Sequence, residues 1–543
     1  MQKDTKIVVT HRGALESKYG RRLARVDAAL ARLVAADAQR GLGTRIVALD
    51  SASQMRPFGT RPMRGPDDER GAKRCIDAID KALSPHYFLI LGGPDVVPMP
   101  LLENPAGVIV GKVNDAPDNG DADPNIPSDL PYACDAPYSK DPGDFQGPTR
   151  VVGRLPDVPC ATDPAFLVKA IDLAATAVPL PRAAYGDWLG LTARIWRKST
   201  QSTLERVFGQ SAALRASPPQ GDRWSAQALQ PRLHYINCHG GRGDTFFYGE
   251  ALPVADERGE QVAALGAPRL RGRVTRGTVA VAQCCYGAQV FSPRRRDGAR
   301  REGTLGIALE YLRQGAYGFF GSTTIAYGPE DTNDDSDVLC GLFLERVRAG
   351  CSLGRATLEA RAGYLKFDAW NDPTKLKTLA QFYLLGDPSI HPIAPDARHP
   401  APDEPAIAVD PVIAARQRAR RRAKARREGI ALQEARTVFK DELARVPEDV
   451  QQEIWRTAEK LGMRSKVIRL LALLAGAKRA AQGDASETAK RRARRVAFLV
   501  GEIPGSLGGG KKAGKPARDP RYVAIVVRLR GSTVVGTKRV VSR

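Results

Sequence analysis

A chain of 543 residues is too long for one ordinary domain, and a hydrophobic fraction of 43% is ample for real cores. Eight cysteines in that length exclude a disulfide-stapled module. The longest apolar stretch of the tail, Leu470 to Ala475, falls far short of the ~20 residues a membrane-spanning helix takes. The net charge of +23 is unevenly spread: residues 401–543 carry +18 and the first 400 only +5. Met1 to Val9 contains no apolar run of signal-peptide length, so the expected compartment is the reducing cytoplasm.

Residues 1–195 alternate strand and helix. Lys6–Thr10, Arg45–Leu49, Tyr87–Leu91 and Arg150–Gly153 are short apolar or β-branched runs, whereas Ala14–Ala36 and Asp67–Leu83 have helical periodicity. Such alternation predicts a mostly parallel sheet with helices on its faces. Asn114–Pro148, dense in Asp, Pro and Gly, is a loop long enough to imply a function or a bound metal.

Residues 196–392 repeat the theme and carry the chemistry. Strands are predicted at Leu191–Trp196, Leu233–Cys238, Val279–Gln283 and Ala316–Ser322, with helices at Gly303–Arg313, Val338–Arg348, Leu353–Tyr364 and Leu376–Leu385. The fold class expected is α/β, as two successive subdomains. From Pro392 to Pro411 the composition becomes that of a linker, and Arg416–Arg427 holds eight Arg or Lys in twelve positions. The stretch 393–430 is thus a Pro-rich, then basic connection. Beyond it, residues 431–543 form a basic region with helices over Asp441–Leu461 and Lys466–Arg479, a basic patch at Lys490–Arg495, and a closing hairpin from Tyr522–Val527 and Ser532–Val541. Gly505–Lys512 looks like a phosphate loop, but Lys512 stands where a hydroxyl should hold magnesium, so it is assigned as linker. The tail is expected to be a separable, charge-driven module, with a polyanion such as nucleic acid or an acidic protein as its partner.

Two strand ends stand out. His239-Gly240-Gly241 follows Leu233–Asn237, and Gln283-Cys284-Cys285-Tyr286-Gly287 follows Thr278–Ala282, with Cys285 46 residues after His239. In parallel sheets reactive groups gather outside the carboxyl ends of the strands, so neighbouring strands would bring imidazole and thiol together. A free thiol is mostly protonated at neutral pH, and His239 is placed to act as its base and later as the acid for the leaving amine. The N–H groups of Gly240 and Cys285 are the expected oxyanion donors. Zinc binding by Cys238, His239, Cys284 and Cys285 is disfavoured, because adjacent residues of an extended strand point to opposite faces. Cys238 and Cys284 are therefore expected to pack behind the dyad.

The segment Gln283–Gly287 resembles the caspase signature Q-A-C-x-G, with its histidine about 50 residues upstream. Around it, Tyr87–Pro98, Ile126–Ala133, Val151–Pro156 and Leu384–Ser389 resemble, in order, the landmarks of gingipain-type peptidases, members of the same clan. The resemblance covers about residues 1–392. It implies a caspase-like cysteine endopeptidase acting on protein or peptide substrates, without an organic cofactor. The competing class is an inactive caspase-like scaffold whose basic tail binds nucleic acid or an acidic partner. Arginine- and lysine-specific members of the clan carry an acid two residues before the nucleophile, where this chain has Gln283. For the substrate residue before the cleaved bond, the candidates are therefore Gln283, Asp129, Glu330 and Asp331. Carboxylates at the last three positions suit Arg or Lys, and the acidic loop Glu330–Asp337 also carries oxygen ligands that suit calcium.

Overall fold

The computed structural model describes residues 5–107, 121, 123–251, 261–291, 304–366 and 372–400. It also describes scattered positions between 402 and 417 and the backbone of the strands 473–474, 494–502, 522–530 and 533–542. Ten strands form one sheet in the order Gly43–Ala48, Thr5–Thr10, Tyr87–Leu91, Val152–Leu155, Phe382–Gly386, Gly318–Ser322, Val279–Ala282, Leu233–Asn237, Trp188–Ala193, Leu214–Ser217. The pairs on either side of Phe382–Gly386 run parallel, and this strand is antiparallel to Gly318–Ser322. Helices pack on both faces, so central strands such as Val279–Ala282 and Tyr87–Leu91 are apolar along their whole length and fully buried. The result is a mixed α/β fold built on a large, mostly parallel sheet.

Two layers of core follow from strand alternation. On one face Val279, Val281 and Tyr235 join Phe320, Val338 and Phe343; on the other, Ala280, Ala282, Ile236 and Leu191 pack with Ala308, Tyr311 and Phe319. Trp188–Ala193, ahead of the expected boundary at 195, pairs with Leu233–Asn237. Phe382–Gly386, near the end of the second expected segment, meets Val152–Leu155 of the first through Leu385 and Arg154.

The helix expected over Leu376–Leu385 is a correction: helix Pro373–Gln381 ends there and Phe382–Gly386 is a strand. Its Phe-Tyr-Leu-Leu run suits a strand buried on both faces, a pattern that helical periodicity does not separate from a buried helix. Leu214–Ser217 and Arg494–Glu502 are strands that the sequence left unassigned.

Several landmarks prove to be braces. Lys6, fully buried, places its Nζ 2.6 Å from Asp37 Oδ2 and 2.8 Å from Asp387 Oδ2, which explains the Gly-Asp-Pro-Ser segment as an anchor for the first strand. Burial works to raise the Asp387 carboxyl, but Lys6 and Ser389 outweigh it and hold the group below its ordinary range. Arg154 donates to both oxygens of Asp129, at 2.6 and 2.8 Å, and to the carbonyls of Gly92 and Val97, tying three landmark loops together.

The tail is joined to the fold rather than set apart from it. Tyr522–Arg530 and Thr533–Ser542 form the expected hairpin, Arg494–Glu502 and Leu473–Leu474 extend it, and its outer strand Thr533–Ser542 pairs antiparallel with Tyr327–Gly328. The open edge of a hairpin finds a partner in another unpaired edge, which charge and linker composition could not reveal. Leu473–Leu474, inside the expected helix Lys466–Arg479, is likewise strand. The basic run Arg416–Arg427 (apart from position 417), the helix expected over Asp441–Leu461 and the loop Gly505–Gly514 lie outside the described residues.

Candidate active site

The register of two central strands carries the site. Ala282 of Val279–Ala282 lies beside Ile236 of Leu233–Asn237, and the Gln283 N–H still donates to the Ile236 carbonyl at 2.8 Å. Both strands end there; beyond them the Cys238 and Cys284 side chains are fully buried in the second core layer. Gly240 is pressed onto this turn: a Cβ there would lie 2.0 Å from the Cys285 carbonyl oxygen. Only glycine permits that approach.

The thiol turn is held tightly. Ser322 Oγ donates to the Cys284 carbonyl at 2.7 Å, the Gly287 N–H donates to the same carbonyl at 3.0 Å, and the Tyr286 N–H donates to Thr324 at 2.9 Å. Tyr286 adopts φ 54°, a left-handed conformation unusual for a residue with a Cβ, and of the kind found where surrounding structure imposes it at functional turns. Cys285 Sγ lies 3.7 Å from the Ala326 carbonyl oxygen. Burial pushes the Cys285 thiol well above its ordinary range; the Ala326 contact and Lys377 oppose that shift, while Asp123 and Asp121 add to it. The group is a thiol, not a thiolate, at neutral pH.

His239 begins a short antiparallel ribbon, pairing with Tyr248 of strand Phe246–Ala251. Two residues further along the same face, Glu250 places Oε1 2.7 Å from His239 Nε2. Trp196 packs on the imidazole, with ring centroids 4.5 Å apart. Glu250 thus supplies a carboxylate that fixes the ring, a partner that sequence reasoning missed. The signal was present in the two-residue alternation of Phe246–Ala251, but the pairing that turns this ribbon back onto His239 is tertiary.

A buried ionic group adjoins the thiol. Asp123 accepts from the Ile325 N–H at 2.9 Å and the Tyr286 hydroxyl at 2.9 Å, and pairs with the Arg242 guanidinium. Lys377, fully buried, bonds Asp121 and lies 3.6 Å from Asp123. Tyr327 donates its hydroxyl to Asp121 at 2.9 Å. Asp121 and Asp123 belong to the Asp-rich loop whose length implied a function.

The candidates for substrate binding have these surroundings. Asp129 is buried and committed to Arg154. Gln283 is fully buried and bonds the Tyr235 hydroxyl. Asp331 is exposed, 3.0 Å from Lys198, and Glu330 adjoins it on the surface loop. Asp334 pairs with Lys375 and Asp335 bonds Thr374. Among the described residues no group of three or more His, Cys, Asp or Glu is arranged to hold a metal ion, and no helix is long and apolar enough to cross a membrane.

No protein-family model and no curated protein matches the chain. Among solved structures, one described as "Structure of Protease" superposes with a TM-score of 0.44 at 12% identity, covering 99% of this chain and 97% of its own. The separase–securin complex of Saccharomyces cerevisiae gives a TM-score of 0.28 at 14% identity, over 44% of this chain and 14% of its own.

Proposed function

We propose that the chain is a caspase-like cysteine endopeptidase with Cys285 as nucleophile and His239 as general base and acid. The observation that supports this reading is the close approach of Gly240, the residue after His239, to the Cys285 carbonyl at the ends of two paired strands. His239 takes the thiol proton as sulfur attacks the scissile carbonyl; the carbonyl π pair moves onto oxygen, where the N–H groups of Gly240 and Cys285 receive it. Collapse expels the amine, protonated by His239, and leaves a thioester. Water, deprotonated by the same imidazole, then releases the acid and returns the proton to sulfur. Glu250 holds the ring in one orientation throughout and stabilises its protonated form.

For the residue before the cleaved bond the reading is Arg or Lys, with Asp123 as its counter-ion in place of Glu330, Asp331 or Asp129. Asp123 already binds one guanidinium, that of the half-exposed Arg242, which shows that this carboxylate suits a planar cation. The test is a peptide-library cleavage profile with Cys285→Ala as control: cleavage after basic residues that disappears in the variant supports the reading, and a library left intact by the wild-type chain opposes it.

A further inference from the structure

The strand Thr533–Ser542 pairs with the segment that follows Ala326, beside the thiol. Ser542 pairs with Tyr327 and Val541 with Gly328, in an antiparallel ladder. Ala326, the residue immediately before this pair, is the one whose carbonyl faces Cys285 Sγ at 3.7 Å, and Tyr327 reaches with its own hydroxyl to Asp121 of the ionic group. An extended peptide presenting its carbonyl to Cys285 gains main-chain hydrogen bonds by adding to an edge beside the nucleophile. Tyr327–Gly328 is such an edge, and Thr533–Ser542 is its neighbour in the sheet.

One strand edge holds one partner. We propose that Thr533–Ser542 is an internal competitor for the Tyr327–Gly328 edge, so that the chain's own C-terminal strand must leave before a substrate strand can pair beside Cys285. The proposal rests on the peptidase reading for its consequence, though not for the occupancy itself. Among the described residues two backbone pairs join the competitor to Tyr327–Gly328, while eight join Thr533–Ser542 to Tyr522–Arg530. The contact is therefore the weak one, and release leaves the hairpin intact.

Ser542→Pro in the full chain tests this. Ser542 pairs with Tyr327 and is absent from the register with Tyr522–Arg530, so proline there disturbs the docking contact and spares the hairpin. Three readouts are taken: hydrogen exchange over residues 325–330, the rate at which a tripeptidyl alkylating probe labels Cys285, and kcat/KM on an Arg-containing peptide. The expected result is faster exchange in the variant, labelling and kcat/KM both raised about tenfold, and restoration of the low rate by a synthetic peptide of residues 533–542. Iodoacetamide, which needs no strand pairing, should label both proteins at closely similar rates. Equal exchange and equal tripeptidyl labelling in the two proteins would overturn the proposal. Faster exchange and labelling with no cleavage by either protein would uphold the occupancy and defeat the peptidase reading.

Discussion

Glu250 Oε1 lies 2.7 Å from His239 Nε2, and the two residues are only eleven positions apart along one ribbon. The carboxylate therefore turns with the histidine: whatever positions Phe246–Ala251 also positions the imidazole. Glu250→Gln keeps the size and one hydrogen bond but loses the charge. The expected outcome is a fall in kcat of about 100-fold with KM little changed, partly rescued by Glu250→Asp. An equal loss in both variants with a raised KM would indicate a folding role alone.

Cys284 and Cys285 are adjacent but face different layers. Cys285→Ala and His239→Ala should each abolish cleavage. Cys284→Ala should retain most of the activity and lower stability by about 1 kcal/mol, because a small buried group is lost from the Ala282–Tyr311 layer. Peptide turnover together with a thermal melt checks both. An inactive Cys284→Ala beside an active Cys285→Ala would move the nucleophile by one residue.

Replacing Asp123 by Asn should lower kcat/KM on Arg-containing peptides by roughly 10- to 100-fold, with little change in the reaction of Cys285 with iodoacetamide. The split between the two readouts separates recognition from chemistry. Unchanged preference for basic residues would transfer recognition to another carboxylate.

His234 offers a stability prediction. It is fully buried, with Nδ1 2.7 Å from the Tyr311 hydroxyl and Nε2 2.8 Å from the Pro231 carbonyl oxygen. Burial lowers its pKa to about 4, against the smaller raising effect of the Pro231 and Leu229 carbonyls. The folded chain keeps this ring neutral while the unfolded chain protonates it near its ordinary value. This group's contribution is therefore complete above about pH 6.5 and is lost as pH falls towards 4, by about 3 kcal/mol in total. Urea unfolding of His234→Gln between pH 4 and 8 should show a shallower acid decline than the wild type. Parallel curves would show that His234 does not titrate between the two states.

What the sequence disclosed was what strands disclose locally. Cys285 and His239 sit at the ends of apolar runs beside glycines, and a two-residue alternation was enough to turn Cys284 and Cys238 into the core. Asp123, Lys377 and Glu250 were illegible because each arrives from a different loop, helix or ribbon, and only the packed fold makes them neighbours. Asp129 shows what a sequence leaves out: it is an acidic residue in a landmark loop, and its pairing with Arg154 through both oxygens is visible only in the fold. The tail was illegible for a third reason. Its composition advertised charge, whereas its placement depends on backbone groups of Tyr327 and Gly328, which every sequence shares.

The central strand Phe382–Gly386 and the Asp387 carboxylate that holds Lys6 also set the order of events during synthesis. Lys6 is made well before its second counter-ion, which follows 381 residues later. Until then the first four strands have an uncovered edge at Val152–Leu155 and a lysine with only Asp37 to meet it. Closing so long a loop is slow relative to forming the local hairpins and helices. Only once Phe382–Gly386 has been made can Val152–Leu155 and Gly318–Ser322 be joined into one sheet, with Lys6 bound to its second carboxylate.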